Sequence, residues 1–301
     1  MITGKNKTLI VIAGATASGK TAVGIKLAQL LATEIISADS RQFYREMSIG
    51  TAKPTVDELA MAKHHFINSH SVTENFNVAD FEQQGLTLIN QLFKTHDQVI
   101  MAGGSGLYIK AICQGFDKLP DVDAAIREQL NKLYDEKGID YLQDKLLKAD
   151  PEYYQQVDLN NPQRIIRALE IYEGTGQPFS SFRKASYQQR PFNILKIGLT
   201  MPREELYHRI NVRVDQMIAD GLVEEVKQLL PYRQLNALNT VGYSEIFDYL
   251  DGKTDLPAAI SLIKQNTRRF AKRQITWFKK EQDIHWVEPQ DIVRFVKERL
   301  D

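Results

Sequence analysis

Residues 8–21 read Thr-Leu-Ile-Val-Ile-Ala-Gly-Ala-Thr-Ala-Ser-Gly-Lys-Thr, and this stretch decides the fold. Its first part, Thr8 to Ala13, is a short apolar run rich in β-branched residues, as in a buried strand. Its second part, Gly14-Ala15-Thr16-Ala17-Ser18-Gly19-Lys20-Thr21, fits G-x-x-x-x-G-K-[ST] at every fixed position. Val23, Leu27, Leu30 and Leu31 follow at helical spacing. Strand, glycine turn and helix together let successive backbone N–H groups curl around an anion at a helix N-terminus. The reading makes Gly14 to Thr21 a phosphate or diphosphate loop. Lys20 supplies a point charge, and the Thr21 hydroxyl is the expected protein ligand for Mg2+. The loop specifies phosphate; it does not specify ATP.

Outward from the loop, Glu34–Ala38 and Gln98–Ala102 read as strands and Phe81–Phe93 as a helix, with His64–Asn68 a further candidate strand. Strands alternating with helices predict an α/β fold, a P-loop NTPase-like core whose parallel sheet is covered by helices. From about 121 to 173 the pattern is helical only. Lys118-Leu119-Pro120-Asp121 marks the entry to this stretch, and Gly174-Thr175-Gly176-Gln177-Pro178 a break near its exit. A strand returns at Phe192–Leu199, then helices at about 203–230, 243–250 and 256–280, the strand Ile284–Val287 and a terminal helix. The expected organisation is a catalytic core, 1–119 with 191–301, and an inserted all-helical domain, 120–190.

Lys plus Arg is 38 and Asp plus Glu is 38, so the formal charge is zero and a wholly basic coat is excluded. Any nucleic acid must meet a local patch. The single cysteine, Cys113, excludes an intrachain disulfide and a cysteine-based zinc cluster. No apolar run approaches the roughly 18 residues that span a bilayer. Met1 to Lys7 is too short and polar for a signal peptide, so a cytoplasmic location is expected.

Asp39 closes the second strand, at the sheet edge where open parallel sheets place their ligands. There it serves as a general base, helps hold Mg2+, or caps a turn with Ser40. The Gln98–Ala102 strand ends instead in Gly103-Gly104-Ser105-Gly106 and carries no acid. That counts against a motor or switch GTPase, which needs a second acid for the metal and a residue to orient water. The glycines suggest backbone close to a ligand, with Ser105 as a hydroxyl contact.

Residues 268–280 hold six cations in thirteen positions and no acid. On a helix Arg269, Lys272, Arg273, Thr276, Lys279 and Lys280 share one face, with Phe270, Ala271, Ile275, Trp277 and Phe278 on the other. Such a surplus in a neutral chain suggests a polyanion, nucleic acid first. Arg164 and Arg167, three apart in the helical region, meet phosphates or pair with Glu170 and Glu173. Arg209 and Arg213 share a face, and their spacing does not say which one reaches the phosphate site. Adjacent His64 and His65 cannot face one metal and are read as structural.

The ordered set Gly14 to Thr21, Asp39-Ser40-Arg41-Gln42-Phe43-Tyr44, Gly50-Thr51-Ala52-Lys53-Pro54, Gly103-Gly104-Ser105-Gly106-Leu107-Tyr108, Thr240-Val241-Gly242-Tyr243 and Lys272-Arg273-Gln274-Ile275-Thr276-Trp277 resembles the bacterial tRNA dimethylallyltransferase (tRNA isopentenyltransferase) family. These segments span nearly the whole chain. The resemblance implies transfer of a dimethylallyl group from its diphosphate to N6 of adenosine 37 in tRNAs reading UNN codons. Diphosphate leaves and no ATP is consumed, which accounts for a phosphate loop without hydrolytic partners.

The resemblance makes Asp39 the base that takes the N6 proton. It assigns Lys20, the loop N–H groups, Mg2+ at Thr21 and Arg213 to the departing diphosphate. It implies tRNA contacts at Asp39, Ser40, Arg41, Gln42 and Ser105, at Gln163, Arg164, Ile165, Ile166 and Arg167, and at Leu238, Asn239, Thr240, Val241, Gly242 and Tyr243. Lys272, Arg273, Gln274, Ile275, Thr276, Trp277, Phe278 and Lys279 complete that surface. The implied partners are a tRNA anticodon stem-loop and dimethylallyl diphosphate, with no membrane and no stable protein partner, and a monomeric state.

Three departures stand out. Ala15 replaces a common proline, Ser105 replaces a common threonine but keeps the hydroxyl, and Asn68 stands where aspartate is frequent. One cysteine and an early C-terminus also lead us to expect no appended zinc finger. Two rival readings are a small-molecule P-loop kinase and a nucleotide-gated RNA-binding module.

Overall fold

The apolar run at residues 8–13 becomes β1 (Thr8–Ala13), buried along its whole length. The computed structural model describes residues 7–117, 119–183 and 188–300. After β1 come α1 (Lys20–Leu30), β2 (Ile35–Ser37), α2 (Val56–Met61), β3 (His64–His65), α3 (Val78–Leu92), β4 (Gln98–Gly103) and α4 (Gly106–Gln114). A helical stretch follows: α5 (Ala124–Ala149), α6 (Pro151–Tyr154), α7 (Pro162–Thr175) and α8 (Phe179–Phe182). The chain then forms β5 (Asn193–Leu199), α9 (Arg203–Ala219), α10 (Leu222–Gln228), α11 (Tyr243–Leu250), α12 (Leu256–Phe278), β6 (Ile284–Val287) and α13 (Ile292–Leu300).

The strands make one sheet in the order β3-β2-β4-β1-β5-β6, every neighbouring pair parallel. The chain runs outward from β1 to β2 and β3, returns at β4, then crosses β1 to β5 and β6. The strand order therefore reverses at β1. The loops after β1, β2 and β4 meet there, at the carboxyl edge. Alternate residues of β1 serve opposite faces. Leu9 and Val11 pack with Phe43, Phe81, Ile89, Met101 and Ile112, whereas Ile10 and Ile12 pack with Leu27, Ile35, Ile100, Ile197 and Ile292. A further core holds Met47, Val214, Leu222, Tyr243, Ile246 and Ile263.

The chain divides into two compact units, Met1–Cys113 with Arg190–Asp301, and Gln114–Gln189. The second unit thus begins ahead of the insertion expected at 120–190. Inside it α5 is interrupted at Gly138 (φ 78°, ψ −176°), and Leu130, Leu142, Leu146, Ile165, Ile166 and Leu169 form a core of its own.

Several elements differ from the periodicity reading. The candidate strand 64–68 shrinks to two residues because Phe66 and Asn68 take left-handed φ of 60° and 55°. The helix expected over 203–230 breaks at Gly221 (φ 98°) into α9 and α10. Neither α2 nor α4 is among the expected elements. For α2 a signal is present: Thr55 and Glu58 form a reciprocal capping box. His64 Nδ1 meets the Ala62 carbonyl at 2.8 Å and His65 Nε2 meets Glu34 at 2.5 Å, as structural histidines do. Among the described residues no helix is long and apolar enough to cross a membrane.

Candidate active site

The phosphate loop leaves β1 and enters α1 through Gly19, whose φ of 91° only glycine adopts easily. Lys20 Nζ folds back and donates to the Ala15 carbonyl at 2.6 Å. Burial pushes the Lys20 pKa down to about 8; Asp39 opposes that shift and Arg213 adds to it. The two cations expected on the diphosphate and the expected base thus sense one another's charge. Ser18, 1% exposed, is the residue whose buried side-chain oxygen has no hydrogen-bond partner among the described residues. A buried hydroxyl inside a glycine loop, without an acceptor, suits an oxyanion ligand.

Asp39 is fixed by the join between β2 and β4. The Ala38 N–H donates to the Ala102 carbonyl at 2.8 Å, and the Ser105 N–H donates to the Ala38 carbonyl at 3.2 Å. The approach is so close that a Cβ on Gly103 would stand 2.1 Å from the Ala38 oxygen. Asp39 Oδ1 then accepts the Arg41 N–H at 3.0 Å, which closes an Asx turn. The Ser40 N–H donates to Ser105 Oγ at 2.9 Å, so Ser105 braces the turn that presents Asp39.

Gln274 crosses the site from α12. Its Nε2 donates to the Gly104 carbonyl at 2.9 Å and its Oε1 accepts the Thr16 N–H at 2.8 Å. This corrects two expectations. The Thr16 N–H is spent on Gln274 rather than left for an anion, and Gln274, 7% exposed, is an internal tie rather than a surface contact. Gln42 is half-buried and tied internally: it accepts from Ser37 Oγ and donates to the Thr51 and Ala52 carbonyls at 3.3 and 3.2 Å.

A cavity of about 920 Å³ opens beside the loop, lined by Ala17 and Gly19, by Ser48, Ile49 and residues 52–56, and by His208, Arg209 and Arg213 of α9. Both arginines that spacing left equivalent line it, and pairing distinguishes them. Arg209 pairs with Glu205 at 2.7 Å. Arg213 has no carboxylate pairing among the described residues, and burial pulls its pKa down against the opposing charges of Glu58 and Asp39.

Helix α12 buries Ala271, Gln274 and Phe278. Lys272, Arg273, Thr276, Trp277 and Lys279 are exposed, as are Arg269 and Phe270, while Ile275 is half-buried. Phe270 and Trp277 therefore lie outside the buried seam, contrary to the even split read from the sequence, and Phe278 is unavailable as a surface contact. Trp277 packs where a Cβ on Gly106 would lie 2.2 Å from its Nε1.

Other implied contacts divide the same way. Ile165, Ile166, Leu238 and Tyr243 are buried in cores, so their side chains offer nothing to a ligand. Asn239 is exposed, with Thr240 and Val241 half-buried and Gly242 buried. Gln163 and Arg164 are exposed, whereas Arg167 pairs with the buried Glu170 at 3.1 Å. The sequence alone assigns no role to Lys53 or Glu225; Lys53 is visible there only as part of Gly50 to Pro54.

The pattern of the IPP transferase family matches residues 42–281. The chain belongs to that family. A tRNA dimethylallyltransferase of Christiangramia forsetii is 56% identical over 280 residues, 93% of each chain. That of Bacteroides thetaiotaomicron is 49% identical over 283 residues, 94% of this chain and 92% of the relative. The crystal structure of a Bacillus halodurans tRNA isopentenylpyrophosphate transferase aligns with TM-score 0.72 at 39% identity, covering 98% of this chain and 97% of that one. A eukaryotic dimethylallyltransferase described as acting on tRNA aligns with TM-score 0.77 at 28% identity, over 96% of this chain and 75% of that one. The family membership agrees with the resemblance carried by the phosphate loop and the 39–54 segment.

Proposed function

We infer that this chain transfers the dimethylallyl group of dimethylallyl diphosphate to N6 of adenosine 37 in tRNAs reading UNN codons, and releases diphosphate. The observation that carries this reading is the grouping of Lys20, Asp39 and Arg213 about a phosphate loop whose neighbouring strand end carries no second acid. A phosphoryl transferase or hydrolase must position a nucleophile against phosphorus. A prenyl transferase needs only to hold the diphosphate as a leaving group.

Lys20, Ser18 Oγ, Arg213 and the loop N–H groups other than those of Thr16 and Ser18, which donate to Gln274 and to the Ala15 carbonyl, stabilise the charge that gathers on the diphosphate. As the bond from N6 to the allylic carbon forms and the carbon–oxygen bond breaks, Asp39 takes the N6 proton. Asp39 is held by its turn, and Ser105 holds that turn. Among the described residues no cluster of three metal-ligating side chains occurs. Thr21 is the residue that would hold Mg2+, an ion that keeps several waters and needs no protein cage. When bound, Mg2+ supplies charge neutralisation at the leaving group.

For the tRNA, the exposed Lys272, Arg273 and Lys279 of α12, with Arg164 on the helical unit, are the side chains we assign to phosphates. A monomer acting in the cytoplasm on the anticodon stem-loop completes the reading. Diphosphate release tests it. With unmodified tRNA, Mg2+ and dimethylallyl diphosphate, and without ATP, diphosphate should appear in proportion to tRNA. No diphosphate, but conversion of added ATP to ADP, would favour a kinase instead.

A further inference from the structure

The cavity beside the phosphate loop carries a cation that the mechanism above does not use. Lys53 lines it together with Gly19 and Arg213. An ammonium has three N–H donors. Lys53 gives one to the Tyr44 carbonyl at 2.5 Å and one to Asn68 Oδ1 at 2.6 Å, and both acceptors are neutral. Among the described residues no carboxylate pairs with it. Burial pushes its pKa down to about 8, against the more distant charges of Glu225 and Glu46. A partly desolvated charge without a counter-ion is costly, and an anionic ligand in the cavity removes that cost.

The surroundings hold this ammonium in place from both sides. Glu225 of α10 gathers the segment that carries it: Oε2 accepts the Ser48 and Ile49 N–H groups at 2.9 and 2.8 Å. Oε1 accepts the Gly50 N–H at 3.0 Å and the Tyr243 hydroxyl at 2.6 Å. Gly50 lies so close to the Tyr243 ring that a Cβ would stand 2.5 Å from it. On the other side Asn68 sits in the left-handed region, as does Phe66 two residues earlier, and its N–H donates to the Gln42 carbonyl at 3.2 Å. Asparagine tolerates that region, whereas a phenylalanine holds it only where its surroundings impose it. The imposed turn delivers a neutral amide oxygen to Lys53, so the full charge stays available.

We propose that Lys53 binds the diphosphate of the substrate from the cavity wall it shares with Gly19 and Arg213, and that Glu225 is its positioning residue. The proposal rests on the prenyl-diphosphate reading, but the binding test of Lys53 does not need transfer to occur. The probe is inorganic diphosphate with Mg2+, titrated calorimetrically into the intact chain. Lys53→Gln should weaken its binding at least tenfold, and Lys53→Arg should stay within threefold of wild type. In turnover assays Glu225→Gln should raise KM for dimethylallyl diphosphate with kcat and the KM for tRNA within threefold of wild type.

The double variant should bind diphosphate no more weakly than Lys53→Gln alone, because Glu225 acts through Lys53; additive losses would mean that Glu225 is merely structural and would remove it. Should either variant fold poorly, the wild-type chain gives the same answer. The Lys53 ε-carbon NMR titration should move to higher pH when diphosphate is added. An unmoved Lys53 titration, a well-folded Lys53→Gln that binds within twofold of wild type, or no diphosphate binding by wild type overturns the proposal. Wild-type protein that binds diphosphate through Lys53 but transfers nothing to tRNA would instead remove the function proposed above.

Discussion

At the scale of single residues, the site depends on which polar groups are already satisfied. Asp39 presents a carboxylate anchored at one oxygen by the Arg41 N–H, and Ser105 anchors the turn behind it. Asp39→Asn keeps that anchor and loses the base, so single-turnover transfer should fall about 10²–10⁴-fold with tRNA affinity little changed. Lys20 adds a pH dependence. Its folded pKa of about 8 lies below the ordinary lysine value, so above pH 8 the ligand-free site increasingly holds a neutral amine. A bound diphosphate favours the ammonium. Binding of dimethylallyl diphosphate at pH 8.5 should therefore take up protons and weaken as pH rises further, whereas at pH 6.5 Lys20 contributes no uptake. Calorimetry in buffers of different ionisation enthalpy reads the uptake of Lys20 together with that of Lys53, whose pKa is also about 8. In the ligand-free chain the same depressed pKa makes stability rise with pH between about 8 and the unfolded value, because the unfolded state binds more protons there.

At the scale of elements, the phosphate loop, Asp39 and the alternating strands are legible in the sequence because each is written locally, in motif and period. What escapes is set by approach between distant segments. Gln274 reads as part of a basic surface, yet it links the Thr16 N–H to the Gly104 carbonyl across the site. Nothing within 268–280 reveals that it faces two orphan backbone groups. Phe270 and Trp277 are misplaced by periodicity for a similar reason. A helix packed along a narrow seam buries Ala271, Gln274 and Phe278 and leaves flanking aromatics outside. Two substitutions weigh these ties. Gln274→Leu leaves both backbone groups unpaired in a buried setting, at about 1–3 kcal/mol each, and a urea midpoint should register the loss. Gly103→Ala puts a methyl group 2.1 Å from the Ala38 carbonyl. It should destabilise by about 1–3 kcal/mol and slow transfer more than it weakens diphosphate binding, because the strain falls on the strand end that carries Asp39.

At the scale of the whole molecule, a chain of formal charge zero must concentrate its cations to hold RNA. On the proposed function, the exposed Lys272, Arg273 and Lys279 are where it would do so. Replacing all three with glutamine should flatten the plot of log tRNA affinity against log salt by about 0.7–0.9 for each phosphate no longer neutralised. An unchanged slope would place the RNA elsewhere. The division into two units follows from the change in pattern near residue 120; the boundary at Gln114 falls at the end of α4, where Gly115 takes a left-handed φ of 75°, a stop signal legible only once a helix is placed at 106–114. The central claim is that the phosphate loop holds a prenyl diphosphate for transfer to tRNA. Nucleoside mass spectrometry tests it most directly, on unmodified UNN-reading tRNA incubated with the chain, Mg2+ and dimethylallyl diphosphate. The account predicts adenosine carrying one added C5H8 unit, absent with Lys20→Ala. Unmodified adenosine, from folded protein that binds both substrates, would contradict it.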